Sequence, residues 1–374
     1  MIENETETEI SESFTVSNKN YRIEARATAN VYKLTYNKGT GNAGDDIVEN
    51  ITFDTNFKVA NGSFAKTGYN FLGYAFTANA TSTKYSAGDS VSVSTFIADA
   101  IKAGVISGYD VTEEGITLYA IYGKDTFKVT YVYGEESITD NFEFESTQNY
   151  KDSSTFSRKG YTFTEWQIEG GEKVKAGAQF VVSASNITLT PVWVANNYTI
   201  KFDKNGGSVI EGKEEMADLA MTYDEEGTLP ENTYARVGYT FGGWTATQNG
   251  SDIVIATTGV FAESKYTTAS GSNYVWHEAN NVTLYAKWNP VTYTITYVRN
   301  GGTGTLTPTS YTIESTEKLP TPTRTGYAFA GWKATTVAGN WTKDEVYAAG
   351  TSLKGMYGHV TLTETWTTNS YQYV

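Results

Sequence analysis

Cysteine is absent from all 374 residues, so disulfides and thiolate chemistry are excluded and any small module must rely on its core alone. Histidine occurs only twice. Without a thiolate or a histidine pair, a zinc site has nothing to use. No run of eighteen apolar residues exists to cross a membrane as a helix, and residues 1–20 are too polar and acidic for a signal peptide. If the protein is exported, its signal lies outside this sequence. Basic residues are few, 28 against 42 acidic ones, for a net charge of -14. That balance keeps an extended molecule soluble and argues against nucleic acid or an anionic membrane surface as partners. There is no nucleophile elbow, phosphate-cradling glycine loop or dinucleotide fingerprint. Scattered carboxylates alone do not make a glycosidase, which would need one deep cleft. No enzyme, metal or cofactor is expected.

What is abundant is aromatic residues, 14% of the chain, and they recur in order. Gly-Tyr-x-Phe appears four times, at Gly68-Tyr69-Asn70-Phe71, Gly160-Tyr161-Thr162-Phe163, Gly238-Tyr239-Thr240-Phe241 and Gly326-Tyr327-Ala328-Phe329. Each copy is preceded by an alternating strand, Tyr32 to Tyr36, Phe127 to Tyr131, Tyr198 to Phe202 and Tyr293 to Tyr297. Each is followed by another, Ile116 to Tyr122, Ile187 to Trp193, Val282 to Trp288 and Val360 to Trp366. The opening strands begin 71 to 95 residues apart, too long for a solenoid repeat and about right for a small domain. Four modules are therefore expected, at 32–122, 127–193, 198–288 and 293–366.

Asn205-Gly206-Gly207 and Asn300-Gly301-Gly302 follow two opening strands, and their tolerance of positive φ predicts strand reversals there; the first module has Asn37-Lys38-Gly39 and the second keeps only Gly134. Ala-Gly turns recur at Ala87-Gly88, Ala176-Gly177 and Ala349-Gly350. Phe96, Ile97, Ala100 and Ile101 share one helical face, which predicts a short helix over 95–103. The polar stretch Glu211 to Asp218 could also be helical.

Only four residues separate each final aromatic from the next opening strand. Five Cα steps reach at most about 17 Å, so neighbouring modules should nearly touch and form a jointed rod. The same ruler aligns Phe14 to Tyr32 with Phe180 to Tyr198, placing Ala27 where Trp193 sits, so 1–27 reads as the closing part of an earlier module. Residues 371–374 start like a further opening strand, and the chain reads as a fragment cut inside modules at both ends.

The run Tyr293-Thr-Ile-Thr-Tyr297, Asn300-Gly-Gly302, Leu319 to Trp332 and Val282-Thr-Leu-Tyr-Ala-Lys-Trp288 resembles the Listeria–Bacteroides repeat, the B-repeat module of internalin-type bacterial surface proteins. The likeness covers essentially the whole chain and is strongest from Tyr198 to Trp366. Tyr74 departs by replacing the tryptophan of Gly-Trp, and Glu165 by standing where the family has glycine. The resemblance implies a mainly β fold with minor α content, built of tandem β-grasp-like modules. It also implies display on the bacterial cell surface, a stalk or adhesive role, and no catalysis.

Two sets of residues invite a functional reading. The motif aromatics Tyr69, Phe71, Tyr161, Phe163, Trp166, Tyr239, Phe241, Trp244, Tyr327, Phe329 and Trp332 could form sugar-stacking platforms. The better reading makes them core, because each module has few other large apolar residues. Two residues before each motif glycine stands a cation, Lys66, Arg158, Arg236 or Arg324. Its stem could lie across the neighbouring ring, or the four could form a ladder for an anionic polymer. The expected partner is a host or bacterial surface protein or glycan, bound weakly and multivalently. A carbohydrate-binding array is the alternative, with Tyr119 or Tyr285 stacking on sugars. His277 and His359 both precede closing strands without aligning. The acidic runs at Asp45-Asp46 and Asp224-Glu225-Glu226 read as solvated loops, without the twelve-residue calcium pattern.

Overall fold

The computed structural model describes residues 27–370 except 111, 252–254 and 256–258. The expected partial module over 1–27, residue 27 apart, and the strand at 371–374 lie outside the described residues. Two compact units emerge: one holds the described residues up to 150 with 168–172 and 177–190, the other 151–167, 173–176 and 191 onward.

In the first unit, β1 (Val31–Asn37), β2 (Ile47–Thr52), β3 (Tyr69–Ala75) and β4 (Ile116–Lys124) form a sheet in the order β2-β1-β4-β3. Alternation sends Tyr32, Leu34 and Tyr36 inward and leaves Val31 and Lys33 outside. The β1–β4 pair is parallel, with Leu34 beside Ile116, and the flanking pairs are antiparallel. A parallel pair needs a long crossover, and it carries the helix. This helix, α1 (Val93–Lys102), starts two residues before the expected span because Ser92 accepts the Thr95 N–H at 3.2 Å and caps it. Val93, Phe96, Ile97 and Ala100 are its buried face.

The segment expected as the second module, whose residues are divided between the two units, contains β5 (Thr126–Tyr133), β6 (Glu136–Glu143), β7 (Tyr161–Ile168) and β8 (Ile187–Ala195). β5 and β6 form a hairpin, and the start of β8 runs parallel to β5. In the second unit the β7 residue Thr164 donates its hydroxyl to the Val192 carbonyl of β8 at 3.1 Å. The third module repeats the first with β9 (Asn197–Asp203), β10 (Leu219–Thr222), β11 (Tyr239–Thr245) and β12 (Val282–Pro290), ordered β10-β9-β12-β11. The fourth does so with β13 (Tyr293–Val298), β14 (Ser310–Tyr311), β15 (Tyr327–Val337) and β16 (Val360–Thr368), ordered β14-β13-β16-β15. The fold is thus mainly β, and α1 is its single helix among the described residues.

Two expectations are corrected. Asn205, Gly206 and Gly301 do adopt positive φ, 46°, 80° and 84°, yet they do not fold the opening strand back on itself. Both edges of β9 and β13 are already paired, so no edge is free for a hairpin. The residues after each turn pair instead with the approach to the motif, Ser208–Val209 with Tyr234–Ala235, and Thr303 with Thr323. The stretch Glu211 to Asp218 is not helical. Its backbone groups are taken from across the chain: Glu214 O accepts from the Thr233 hydroxyl at 2.7 Å, and Met216 N donates to the Tyr234 hydroxyl at 3.3 Å.

Each module holds the same aromatic stack. The ring pairs Phe71–Tyr74, Phe163–Trp166, Phe241–Trp244 and Phe329–Trp332 meet edge to face at 5.0, 4.9, 5.1 and 5.2 Å. The second ring of each pair is fully buried, while the phenylalanines are half-buried. The closing-strand aromatics Tyr122, Trp193, Trp288 and Trp366 complete the stack at 5.1 to 6.1 Å from the phenylalanine.

Candidate functional site at the basic–glycine–tyrosine turns

Immediately before each motif strand the chain makes a tight turn. The N–H of Tyr69, Tyr161, Tyr239 and Tyr327 donates to the carbonyl of Lys66, Arg158, Arg236 and Arg324 at 2.9, 3.2, 3.0 and 3.2 Å. Gly68, Gly160, Gly238 and Gly326 sit third in these turns with φ of 80°, 78°, 77° and 81°. A turn of this kind needs positive φ at its third position, which is why glycine stands there. The same turn stacks its first residue above its fourth. Lys66 Nζ lies 3.9 Å from the Tyr69 ring centre, and the guanidinium carbons of Arg158, Arg236 and Arg324 lie 3.5, 4.2 and 3.9 Å from theirs. Two of the cations hold a further partner, Lys66 at Thr40 and Arg324 at the Asn300 carbonyl, 3.2 and 3.0 Å away.

The other face of three of these turns is covered by the next module. A Cβ added at Gly68 would enter the Phe144 ring, one at Gly160 the Tyr223 ring, and one at Gly238 the Ile313 side chain. The acid following each of those residues accepts a hydrogen bond from the motif phenol: Tyr69 to Glu145 at 2.9 Å, Tyr161 to Asp224 at 2.9 Å and Tyr239 to Glu314 at 2.7 Å. The connecting backbone docks on the same turns, with Asp125, Asn196 and Val291 donating to the carbonyls of Gly68, Gly160 and Gly238 at 3.0, 2.9 and 2.9 Å. At most two residues separate a closing strand from the next opening strand. The repeated turn is therefore half of a module joint. The other half is a bulky apolar residue followed by an acid, at the end of the second strand.

Sequence reasoning picked out the turn and missed the acid. Asp224 was read as part of a solvated loop; it joins the Tyr161 hydroxyl to His277 Nδ1, 2.9 Å away, while His277 Nε2 meets the Tyr223 hydroxyl at 3.1 Å. The apolar–acid pair falls at no fixed distance from the opening strand, so no spacing rule would find it. His359 is unrelated, accepting the Thr294 N–H at 3.0 Å within the fourth module. Tyr119 and Tyr285 occupy the same register of β4 and β12, half-buried on the outer face.

Electrostatics tie the joints to pH. The hydrogen bond to Glu145 raises the Tyr69 phenol above its ordinary value, and that bond, with Lys124 3.4 Å away, lowers Glu145 below its own. Burial, then the bond to Asp224 or Glu314, raises Tyr161 and Tyr239. A lowered acid contributes stability above its unfolded pKa and loses it as pH falls through the folded one; a raised phenol contributes below its unfolded pKa and loses it as pH rises through the folded one. The first joint should therefore hold across neutral pH and loosen below about pH 4 and above about pH 10. Tyr69 ring shifts followed by NMR check this, and Glu145→Gln should remove the acid limb. A Tyr69 signal unchanged through the acid range would defeat it.

Comparison with known proteins agrees with the repeated architecture. The model of the Listeria-Bacteroides repeat domain matches residues 127–190, 198–268 and 293–354, more than half of the chain, and leaves the first module unmatched. A protein of Evansella cellulosilytica is 27% identical over 280 residues, 72% of this chain and 28% of its own length. A second from the same organism is 26% identical over 220 residues, 58% of this chain and 29% of its own. Both are named as membrane proteins, the first as Gly-rich. The chain spans under a third of the length of these relatives. With three matches in register with three of its sheets, the chain belongs to the Listeria-Bacteroides repeat domain family.

Proposed function

We propose that the chain is a non-catalytic spacer of a bacterial surface protein, a series of β-grasp-like modules that holds another part of the protein away from the cell. The observation that carries this reading is the joint made three times with the same parts. A repeated joint between small modules with linkers of one or two residues transmits direction and length, which a spacer needs. The relatives' names, as membrane proteins, support a surface location. Small-angle X-ray scattering on the whole chain tests it. A pair-distance distribution skewed to long distances is expected, and a symmetric bell would reject the rod. Antibody labelling of intact cells tests the location.

Weak, multivalent contact with a surface protein or glycan would be an added role. The cation ladder supports it less than it supports the joint, because each cation already lies over a ring of its own module.

A further inference from the structure

The second module differs from its neighbours in what covers one end of its core. Between the strand Gln179–Val181, which pairs with Thr147–Asn149, and β8 runs only the stretch 182–186. Val129, Tyr150, Ile168, Phe180, Val182 and Ile187 surround a cleft of 170 Å³ there, and all of them belong to the first compact unit. One wall is flat, because the Tyr150 and Phe180 rings stack at 4.3 Å and 13°. Other modules lay a ring of their own across the equivalents of these walls. In the third module Phe261 holds the place of Phe180. Each faces the residue two before a buried core residue, Gly227 before Leu229 and Gln148 before Tyr150. Trp276 packs on Phe261 with ring centres 6.0 Å apart. Phe76 stands two residues after Tyr74 as Ile168 does after Trp166, and Phe96 of α1 packs on it at 5.6 Å. Trp276 and Phe96 are both fully buried. They come from crossovers that occupy 261–281 and 93–115, whereas 182–186, Val-Ser-Ala-Ser-Asn, carries no ring.

We propose that this cleft binds one aromatic ring of phenol or indole size that carries a polar group at its edge. Its volume suits a single ring, since an apolar cavity of about 150 Å³ is enough to take benzene. The Tyr150–Phe180 stack offers a flat π face against which a further ring can stack or lean. Tyr150 supplies the polar partner. It is 8% exposed, its hydroxyl makes no hydrogen bond among the described residues, and a buried hydroxyl without one is costly. Burial, then the charge of Glu172, raises its phenol above the ordinary value, so it stays a neutral group able to donate or accept. The ring arrives as a free compound or as the tryptophan side chain of a partner, and the chemistry recognised is the same. The site rests on the cleft alone and is independent of the spacer reading.

Methyl-resolved NMR on the whole chain, titrated with indole, tests it. The methyl signals of Val129, Val182 and Ile187 should shift together and saturate, while those of the other modules stay in place. Cyclohexanol, of similar size and with a hydroxyl but no π face, should bind severalfold more weakly. Phe180→Ala removes one ring of the stack and should abolish the indole shifts while the far-UV dichroism stays that of the parent. Should Phe180→Ala fail to fold, Tyr150→Phe keeps both rings and should still weaken indole severalfold. N-acetyltryptophanamide separates the sources: shifts like those of indole assign the cleft to a partner's side chain, and its exclusion assigns it to a free compound. Absence of saturable shifts at these methyls overturns the proposal. So does cyclohexanol binding as tightly as indole, or indole affinity that neither variant lowers.

Discussion

Trp332→Ala should melt the fourth module well below the temperature of the parent chain. Trp332 is fully buried, packs against Phe329 and Tyr297 with ring centres 5.2 and 4.8 Å away, and donates its indole N–H to the Pro320 carbonyl at 2.8 Å. Truncating a buried tryptophan costs about 3–5 kcal/mol, and the Pro320 carbonyl loses its donor as well. Small domains have only about 5–15 kcal/mol in total, so most of the module's stability is removed. Trp244→Ala should act likewise on the third module. The two positions separate under a milder change, because the Trp244 indole N–H has no hydrogen-bond partner among the described residues. Trp332→Phe gives up a hydrogen bond worth roughly 0.5–1.5 kcal/mol that Trp244→Phe does not. Differential scanning calorimetry and near-UV dichroism measure both. Native-like signals in both alanine variants would mean that these rings are not what holds the cores.

The first module shows why this position tolerates one departure from the family. Tyr74 replaces the tryptophan, is fully buried, and donates its hydroxyl to the Ala60 carbonyl at 3.0 Å. Ala60, Lys151 and Pro320 are equivalent residues, each next to the one whose carbonyl receives the Ala-Gly turn: Gly88 N to Val59, Gly177 N to Tyr150 and Gly350 N to Leu319, at 2.8, 3.1 and 2.9 Å. The site asks for a large ring with a donor at its tip, and phenol meets that demand as indole does in Trp166 and Trp332. Burial pushes the Tyr74 phenol up to about 12.

The opening and closing strands were legible because each is half-buried, and burial on one face writes a period of two into the sequence. α1 was legible for the matching reason, an apolar face at helical spacing. The destination of the Asn-Gly-Gly turns was not. Turn chemistry fixes local φ, whereas pairing depends on which edges are free, and the neighbours of β9 come from residues 219–222 and 282–290. Nor were the joints legible as joints. The glycine, the tyrosine and the cation could be aligned, but their purpose lies in Phe144–Glu145, Tyr223–Asp224 and Ile313–Glu314. These pairs share a role without sharing identity or spacing. A contact that asks only for an apolar residue followed by an acid constrains sequence too loosely to be seen as a motif.

The joint can be isolated from the turn by comparing two glycines. Gly160 and Gly326 have φ of 78° and 81°, so alanine at either should carry the same backbone penalty, about 1–2 kcal/mol for a left-handed conformation. Their surroundings differ. At Gly160 the added methyl meets the Tyr223 ring, while at Gly326 no described residue lies within 4 Å of it. Gly326→Ala should lower the stability of the fourth module by the backbone penalty alone. Gly160→Ala should add an overpacking cost of roughly 1–3 kcal/mol or relieve it by moving Tyr223. Moving Tyr223 draws Asp224 away from the Tyr161 hydroxyl and His277 from its own two partners. The expected result is a second–third module joint that opens: faster hydrogen exchange at Asn196 and Tyr223, whose amide bonds lie in the joint, and readier proteolysis there. If the two alanine variants lose equal stability and exchange alike at Asn196, the packing of Tyr223 on Gly160 does not hold the modules together. The glycines would then recur in the four motifs for the turn alone.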